Sequence, residues 1–156
     1  REILIARLID RPLRPLFPMG FFDEVQIQIG VFSFDSQNDP DVLSGIAASA
    51  AIHISDIPFL SPTAHAKVGR IDGKLVLFPT VEQLAESDFE LVVAGTKSFV
   101  NMIELEGREI KEDDVADAIE FGHKAIIQIV EMLDELRTKV GAPEKGESSF
   151  TRQTSA

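Results

Sequence analysis

The chain has 156 residues, of which 44% are hydrophobic and 26% charged, a composition typical of one soluble globular domain. Its formal net charge of -11 excludes broad non-specific binding to nucleic acid, which needs a basic surface, although a local basic cluster is still compatible with it. The absence of Cys excludes disulfides, thiolate catalysis and zinc fingers, and no signal-peptide pattern or apolar run of about eighteen residues occurs. These features predict a cytoplasmic protein that does not cross a membrane.

The chain opens with an amphipathic pattern that is interrupted by two prolines. Residues 3–8 are typical of the end of a helix. We expect Pro12 and Pro15 to stop it, because proline lacks an amide hydrogen and disfavours helix in the residue before it.

A basic cluster occupies the same stretch of this acidic chain. Arg7, Arg11 and Arg14 follow the spacing i, i+4, i+7, which places three guanidinium groups on or near one helix face. One interpretation is a contact site for phosphate or another anion. The other is a set of local ion pairs, because Asp10 lies three residues after the first arginine and four before the last.

The next two segments predict a strand and a helix. In residues 25–34, Val25, Ile27, Ile29 and Val31 alternate with polar residues, which is typical of a strand with one buried face. A turn at residues 38–40 precedes a stretch rich in small side chains, 41–55, which predicts a helix packed closely against a sheet.

The second half of the chain predicts four strands and a long helix. Asp72-Gly73 is typical of a two-residue hairpin turn between strands 64–71 and 74–78. Two apolar strands follow, 89–96 and 99–106. An amphipathic helix is predicted for 111–139, and the polar residues 146–156 indicate a tail or linker. The pattern is that of an α+β fold.

No catalytic constellation can be assembled from the residue types. His53, His65 and His123 fall on different predicted elements and lack metal-binding spacing. The acidic run between residues 104 and 114 is interpreted as a solvated face followed by a helix start. We therefore predict no catalytic residue and no metal ligand in this chain.

Five motifs, taken in order, resemble the first RNase PH-like domain of the bacterial polynucleotide phosphorylase family. They are RLIDRPLRPLFPMGF (7–21), DPDVLSGIAASAAIHISDIPF (39–59), AKVGRIDGKLVLFPT (66–80), SDFELVVAGT (87–96) and AIEFGHKAIIQI (118–129). The resemblance covers residues 1–140 and implies an RNase PH-like (ribosomal protein S5 domain 2-like) sheet covered by helices. It also implies that N-terminal strands are missing, which would leave unpaired sheet edges, and that 141–156 form a linker or disordered tail.

The resemblance implies an enzyme that degrades mRNA from the 3′ end by phosphorolysis. Inorganic phosphate, the co-substrate, attacks the terminal phosphodiester and releases a nucleoside diphosphate, with Mg²⁺ neutralising charge at the transferring phosphorus. The family forms homotrimers around an RNA channel and works with other RNA-degradation proteins. The expected enzyme is thus a polyribonucleotide nucleotidyltransferase, with this fragment inactive on its own.

Two departures from the family pattern imply that this domain is catalytically silent. Active domains carry two aspartates, six residues apart, that hold the metal; Phe78 and Leu84 stand at those positions, and neither offers an oxygen ligand. The phosphate-binding arginine before the small-residue helix is replaced by the acidic stretch 38–41. The resemblance then implies that this domain serves ring assembly and RNA guidance. Arg7, Arg11 and Arg14 are the candidate RNA or phosphate contacts, and Mg²⁺ is expected to bind outside this fragment. The alternatives are a structural or RNA-binding module without activity and an unrelated small-molecule-binding domain.

Overall fold

A computed structural model describes residues 2–146. The elements are helix α1 (Glu2–Leu13), a 3-10 turn (Arg14–Leu16), helix α2 (Pro40–Ile54), strands β1 (Ala64–Ile71) and β2 (Lys74–Leu77), helix α3 (Val81–Ala85), strands β3 (Phe89–Gly95) and β4 (Val100–Gly107), and helix α4 (Glu112–Lys139). None of the helices in this described part has the length and apolarity needed to cross a bilayer.

The four strands form one antiparallel sheet in the order β2-β1-β3-β4. The predicted hairpin is confirmed: Asp72 and Gly73 connect β1 to β2, both with positive φ angles, 50° and 74°. That geometry is typical of a type I′ turn, whose twist matches that of the flanking strands. The two further predicted strands are also confirmed, as the adjacent pair β3 and β4.

Helix α4 covers one face of the sheet and builds the main core. Ile126 and Val130 of the helix pack with Leu91 and Val93 of β3, and all four are essentially inaccessible to solvent. Gly122 lets the helix approach closely, because a Cβ there would lie 3.1 Å from a methyl group of Val68. The amphipathic helix predicted for 111–139 is confirmed.

Helices α1 and α2 cover the opposite face. Ile9 and Leu13 of α1 pack on Ala48 and Ile52 of α2. Leu8 instead packs on the sheet itself, in a small buried cluster completed by Val92, Ala94 and Met102. The helix predicted for 41–55 is confirmed, and its small residues lie against β1, as expected.

The strand predicted for residues 25–34 is wrong. The segment has no regular secondary structure, and no backbone hydrogen bond joins residues 22–34 to any other described residue. The side-chain alternation is real, but a strand also needs a neighbouring backbone to pair with. Here the segment faces side chains of α1 and α2 instead of another strand.

The prediction that Pro12 stops the first helix is also wrong, because α1 continues to Leu13 and a 3-10 turn follows it. Proline at position 12 leaves the Leu8 carbonyl without its usual intrahelical donor. The ring of His65 takes that place, with Nε2 at 3.2 Å from the Leu8 oxygen. Burial lowers the pKa of His65, so we assign a neutral ring with its hydrogen on Nε2.

The residues after α4 fold back on the end of α2. The Lys145 ammonium group donates to the carbonyls of Ile52 and Ser55 at 2.7 and 2.9 Å. Burial, with the nearby Arg137 guanidinium, lowers the pKa of Lys145 to about 8. The tail predicted for 141–156 lies outside the described residues from 147 onward.

Candidate functional site

The three arginines singled out by the sequence lie together on the solvent side of the first helix. Arg7 and Arg11 belong to α1, and Arg14 starts the following 3-10 turn; all three are exposed. The opposite side of α1 carries its buried residues, Leu8, Ile9, Pro12 and Leu13. The amphipathic pattern thus positions the basic face, because burying the apolar side forces the guanidinium groups outward.

The ion pairs of these arginines differ. Arg14 binds the Asp10 carboxylate with Nε at 3.1 Å and Nη2 at 2.7 Å, so the ion-pair interpretation is confirmed for it. The hydrogen bond and charge of Asp10 raise the pKa of Arg14. Arg11 lies 3.4 Å from Glu104 of β4, a partner that the sequence did not indicate.

Arg7 differs from both neighbours in having no hydrogen bond or ion pair with another residue in the described part of the chain. The predicted pair between Arg7 and Asp10 is therefore not formed. An exposed guanidinium without an internal carboxylate keeps all its donors available for an anion such as phosphate.

The two positions at which the resemblance placed the metal-holding aspartates of active domains, Phe78 and Leu84, carry apolar side chains. Phe78 directly follows β2 with a φ of +49° and a partly exposed ring, and Leu84 lies in α3. Neither supplies the oxygen ligand that Mg²⁺ needs. Within residues 2–146, no three His, Cys, Asp or Glu side chains are grouped to hold a metal ion.

A buried ion cluster, which the sequence analysis missed, joins α2 to the sheet. Lys67 of β1 places its Nζ 2.7 Å from Asp41 and 2.7 Å from Glu90, and its side chain is only 5% exposed. Burial acts to lower the Lys67 pKa, but the hydrogen bonds and charges of the two carboxylates outweigh it and raise that pKa. The Asp41 carboxylate, in the first turn of α2, is therefore neutralised by the Lys67 ammonium group within the fold.

The histidines serve as internal hydrogen-bonding groups in separate places. The His53 ring lies 3.0 Å from the carboxylate of Asp134, and the His123 ring lies 3.0 Å from the Thr96 carbonyl oxygen. The ring of His65 contacts the Leu8 carbonyl, as described above. The three histidine rings therefore have three different partners, and the structure does not bring them together.

An apolar groove of about 950 Å³ runs between α1, the irregular segment that follows it and the start of α2. Its larger apolar lining residues include Ile5, Ile9, Leu13, Phe17, Phe21, Val25, Ile27, Ile29 and Val31. Acidic groups of Glu2, Asp10, Asp23 and Asp41 lie among them. The groove is distinct from the arginine face, which it meets only at Arg14.

Solved structures confirm the expected fold class. The chain is similar to rice Rrp46, with a TM-score of 0.57 over 65% of this chain and 48% of that one, at 17% identity. At this identity the likeness concerns the fold alone, an RNase PH-like α+β sheet covered by helices.

Sequence comparison identifies much nearer relatives. Proteins named polyribonucleotide nucleotidyltransferase match at 50% identity over 90% of this chain in Sulfurihydrogenibium sp. (strain YO3AOP1) and at 51% over 92% in Geobacter sulfurreducens. A third, from Chlorobaculum tepidum, is 50% identical over 93% of the chain. The chain spans about one fifth of the length of these curated relatives.

Family models account for most of the chain. Residues 1–58 match domain 1 of the 3′ exoribonuclease family, and residues 61–125 match domain 2 of the same family. The two matches follow one another along a single sheet-and-helix fold. With this order and this fold, the chain belongs to the 3′ exoribonuclease family, and the relatives that it matches at about 50% identity are named polyribonucleotide nucleotidyltransferase.

Proposed function

We propose that this chain is a non-catalytic part of a phosphorolytic 3′-to-5′ exoribonuclease that degrades mRNA in the cytoplasm. The observation that carries the proposal is the match, at about half identity across nine tenths of the chain, to proteins named polyribonucleotide nucleotidyltransferase. Inorganic phosphate is the co-substrate of the full-length protein, and a nucleoside diphosphate is the product. Mg²⁺ binds outside this chain.

The residues at the expected reaction positions support a silent role. Phe78 and Leu84 offer no ligand to a metal, and Asp41 is held by Lys67 at 2.7 Å. A site for phosphate attack needs positive charge or a metal at the transferring group. These positions supply neither, so the chemistry belongs to another part of the full-length protein.

The remaining role of this part is RNA guidance and assembly of a homotrimeric ring. The exposed arginines Arg7 and Arg11 of α1, with Arg14 directly after it, form a basic cluster, and Arg7 has no partner among residues 2–146. Guanidinium groups bind phosphate without regard to base sequence. This suits an enzyme that must pass any RNA strand towards its active site.

We expect this chain alone to release no ADP from poly(A) in the presence of phosphate and Mg²⁺, while the full-length protein releases it. Chromatography of the nucleotide products measures the reaction, with a no-protein sample as the control. ADP release that scales with the amount of the chain and survives repurification would contradict the silent role.

We expect charge reversal of Arg7, Arg11 and Arg14 to glutamate in the full-length protein to weaken binding to single-stranded RNA and to flatten its salt dependence. Arg7→Ala alone should lower the slope of log affinity against log salt by about 0.7, the value for one phosphate contact. Fluorescence anisotropy with labelled poly(A) at several salt concentrations gives both quantities.

Lys74→Glu is the matched control, because Lys74 is exposed on β2, at the sheet edge opposite β4 and α1. Its reversal should leave the salt slope unchanged. Equal slopes for all variants would mean that the arginines serve only ion pairs within the fold.

A further inference from the structure

One arginine of the basic cluster is bound by a carboxylate from the sheet. Arg11 of α1 places Nη1 3.4 Å from Oε2 of Glu104 on β4, which lies 93 residues further along the chain. The two side chains are 49% and 59% exposed, so water reaches both charged groups. A phosphate that approaches the helix from solvent therefore meets the Glu104 carboxylate as a competitor for the same guanidinium donors.

The position of Glu104 beside Arg11 is fixed by the packing of α1 on β4. Asn101 donates from Nδ2 to the carbonyl oxygen of Pro12, the residue after Arg11, at 2.9 Å. Met102 packs against the buried side of α1. Since Met102 and Glu104 are two residues apart on one strand, both project from the face of the sheet that α1 covers. The backbone thus holds the carboxylate near the guanidinium group.

The three arginines consequently differ in how freely they can bind an anion. In the described part of the chain Arg7 has no partner, Arg11 makes one hydrogen bond at 3.4 Å, and Arg14 makes two to Asp10. Exposed ion pairs change an equilibrium constant by at most about fivefold. The pair between Arg11 and Glu104 is therefore strong enough to lower the affinity for an anion and weak enough to be displaced by one.

We propose that Glu104 competes with RNA phosphates for Arg11 and so limits the affinity of the basic cluster for RNA. The inference rests on the proposed contact between the arginines and RNA. A phosphate that binds Arg11 breaks the ion pair and leaves the Glu104 carboxylate without its cation, so part of the gain in free energy is lost. A contact weakened in this way releases readily, which suits a strand that must advance after each nucleotide is removed.

Glu104→Gln in the full-length protein tests the proposal, because the amide keeps the shape of the side chain without its charge. We expect the affinity for labelled poly(A) to rise about two- to fivefold, and the slope of log affinity against log salt to steepen by up to about 0.7, the value for one phosphate contact. Glu106→Gln is the matched control, since Glu106 is exposed on the same face of β4 and has no ion pair among residues 2–146. It changes the net charge equally and should leave the slope unchanged.

Adding Arg11→Ala to these variants completes a double-mutant cycle. In that background Glu104→Gln should raise the affinity no more than Glu106→Gln does, because the guanidinium group that Glu104 occupies is gone. Equal effects of the two glutamine variants in the presence of Arg11 would overturn the proposal. Weaker RNA binding by Glu104→Gln would also overturn it, and would show that Glu104 positions Arg11 for RNA. If reversing the charge of Arg7, Arg11 and Arg14 leaves RNA binding unchanged, the proposed RNA contact fails as well.

Discussion

Replacing Lys67 by methionine is expected to lower the free energy of unfolding by about 3–5 kcal/mol, the range measured when one partner of a buried ion pair is removed. Methionine keeps most of the side-chain volume but leaves Asp41 without its cation. The Asp41 side chain is 12% exposed and that of Glu90 is 36% exposed, so Asp41 carries most of the loss. Urea unfolding followed by circular dichroism measures it, because the chain has no Trp or Tyr for fluorescence.

The matched control is Lys97→Met, which removes an ion pair of similar length on the surface. Lys97 lies 2.8 Å from Glu131, with both side chains about half exposed. Such pairs contribute about 0–1 kcal/mol. Adding Asp41→Asn to the Lys67→Met variant should restore part of the stability, because it removes the uncompensated charge. Equal losses for Lys67→Met and Lys97→Met would contradict a buried cluster.

Gly45→Ala is expected to lower the free energy of unfolding by about 1–3 kcal/mol, the usual cost of overpacking a core. A Cβ at Gly45 would lie 2.5 Å from Cε1 and Nδ1 of the fully buried His65 ring. The ring cannot retreat without giving up its hydrogen bond to the Leu8 carbonyl. The loss would occur although alanine is the better helix former by about 1 kcal/mol.

Two further variants separate the steric cause from helix propensity. Ala47→Gly on the exposed side of α2 should lower the free energy of unfolding by about 1 kcal/mol, which measures the effect of helix propensity alone. In the His65→Ala background, Gly45→Ala should become neutral or stabilising, because the obstructing ring is gone. The same loss with and without the ring would show that the contact with His65 is not the cause.

Local patterns predicted most of the regular structure. The hairpin followed from Asp72-Gly73, because the turn chemistry of those two residues needs no distant partner. The long α4 followed from its repeating apolar face, and the Asp10–Arg14 pair from i, i+4 spacing. The short α3 was missed, although Thr80 and Gln83 form a reciprocal capping box that the sequence already displays.

The remaining features depend on residues far apart in the chain. Arg11 meets Glu104 across 93 positions, and Lys67 meets Asp41 across 26, distances over which periodicity carries no signal. The same limit explains the wrong strand at 25–34. Alternation of apolar residues specifies which face is buried, but not whether a neighbouring backbone is present to pair with.

The bond between His65 and the Leu8 carbonyl has a consequence for the order of folding. At 12 residues α1 is too short to be stable alone in water, and Pro12 denies it one of its own hydrogen bonds. The donor that replaces it is the His65 ring, which lies 57 residues after Leu8 in the chain. Helix α1 can therefore complete its hydrogen bonds no earlier than β1 packs against it, so a contact between distant residues completes a local element.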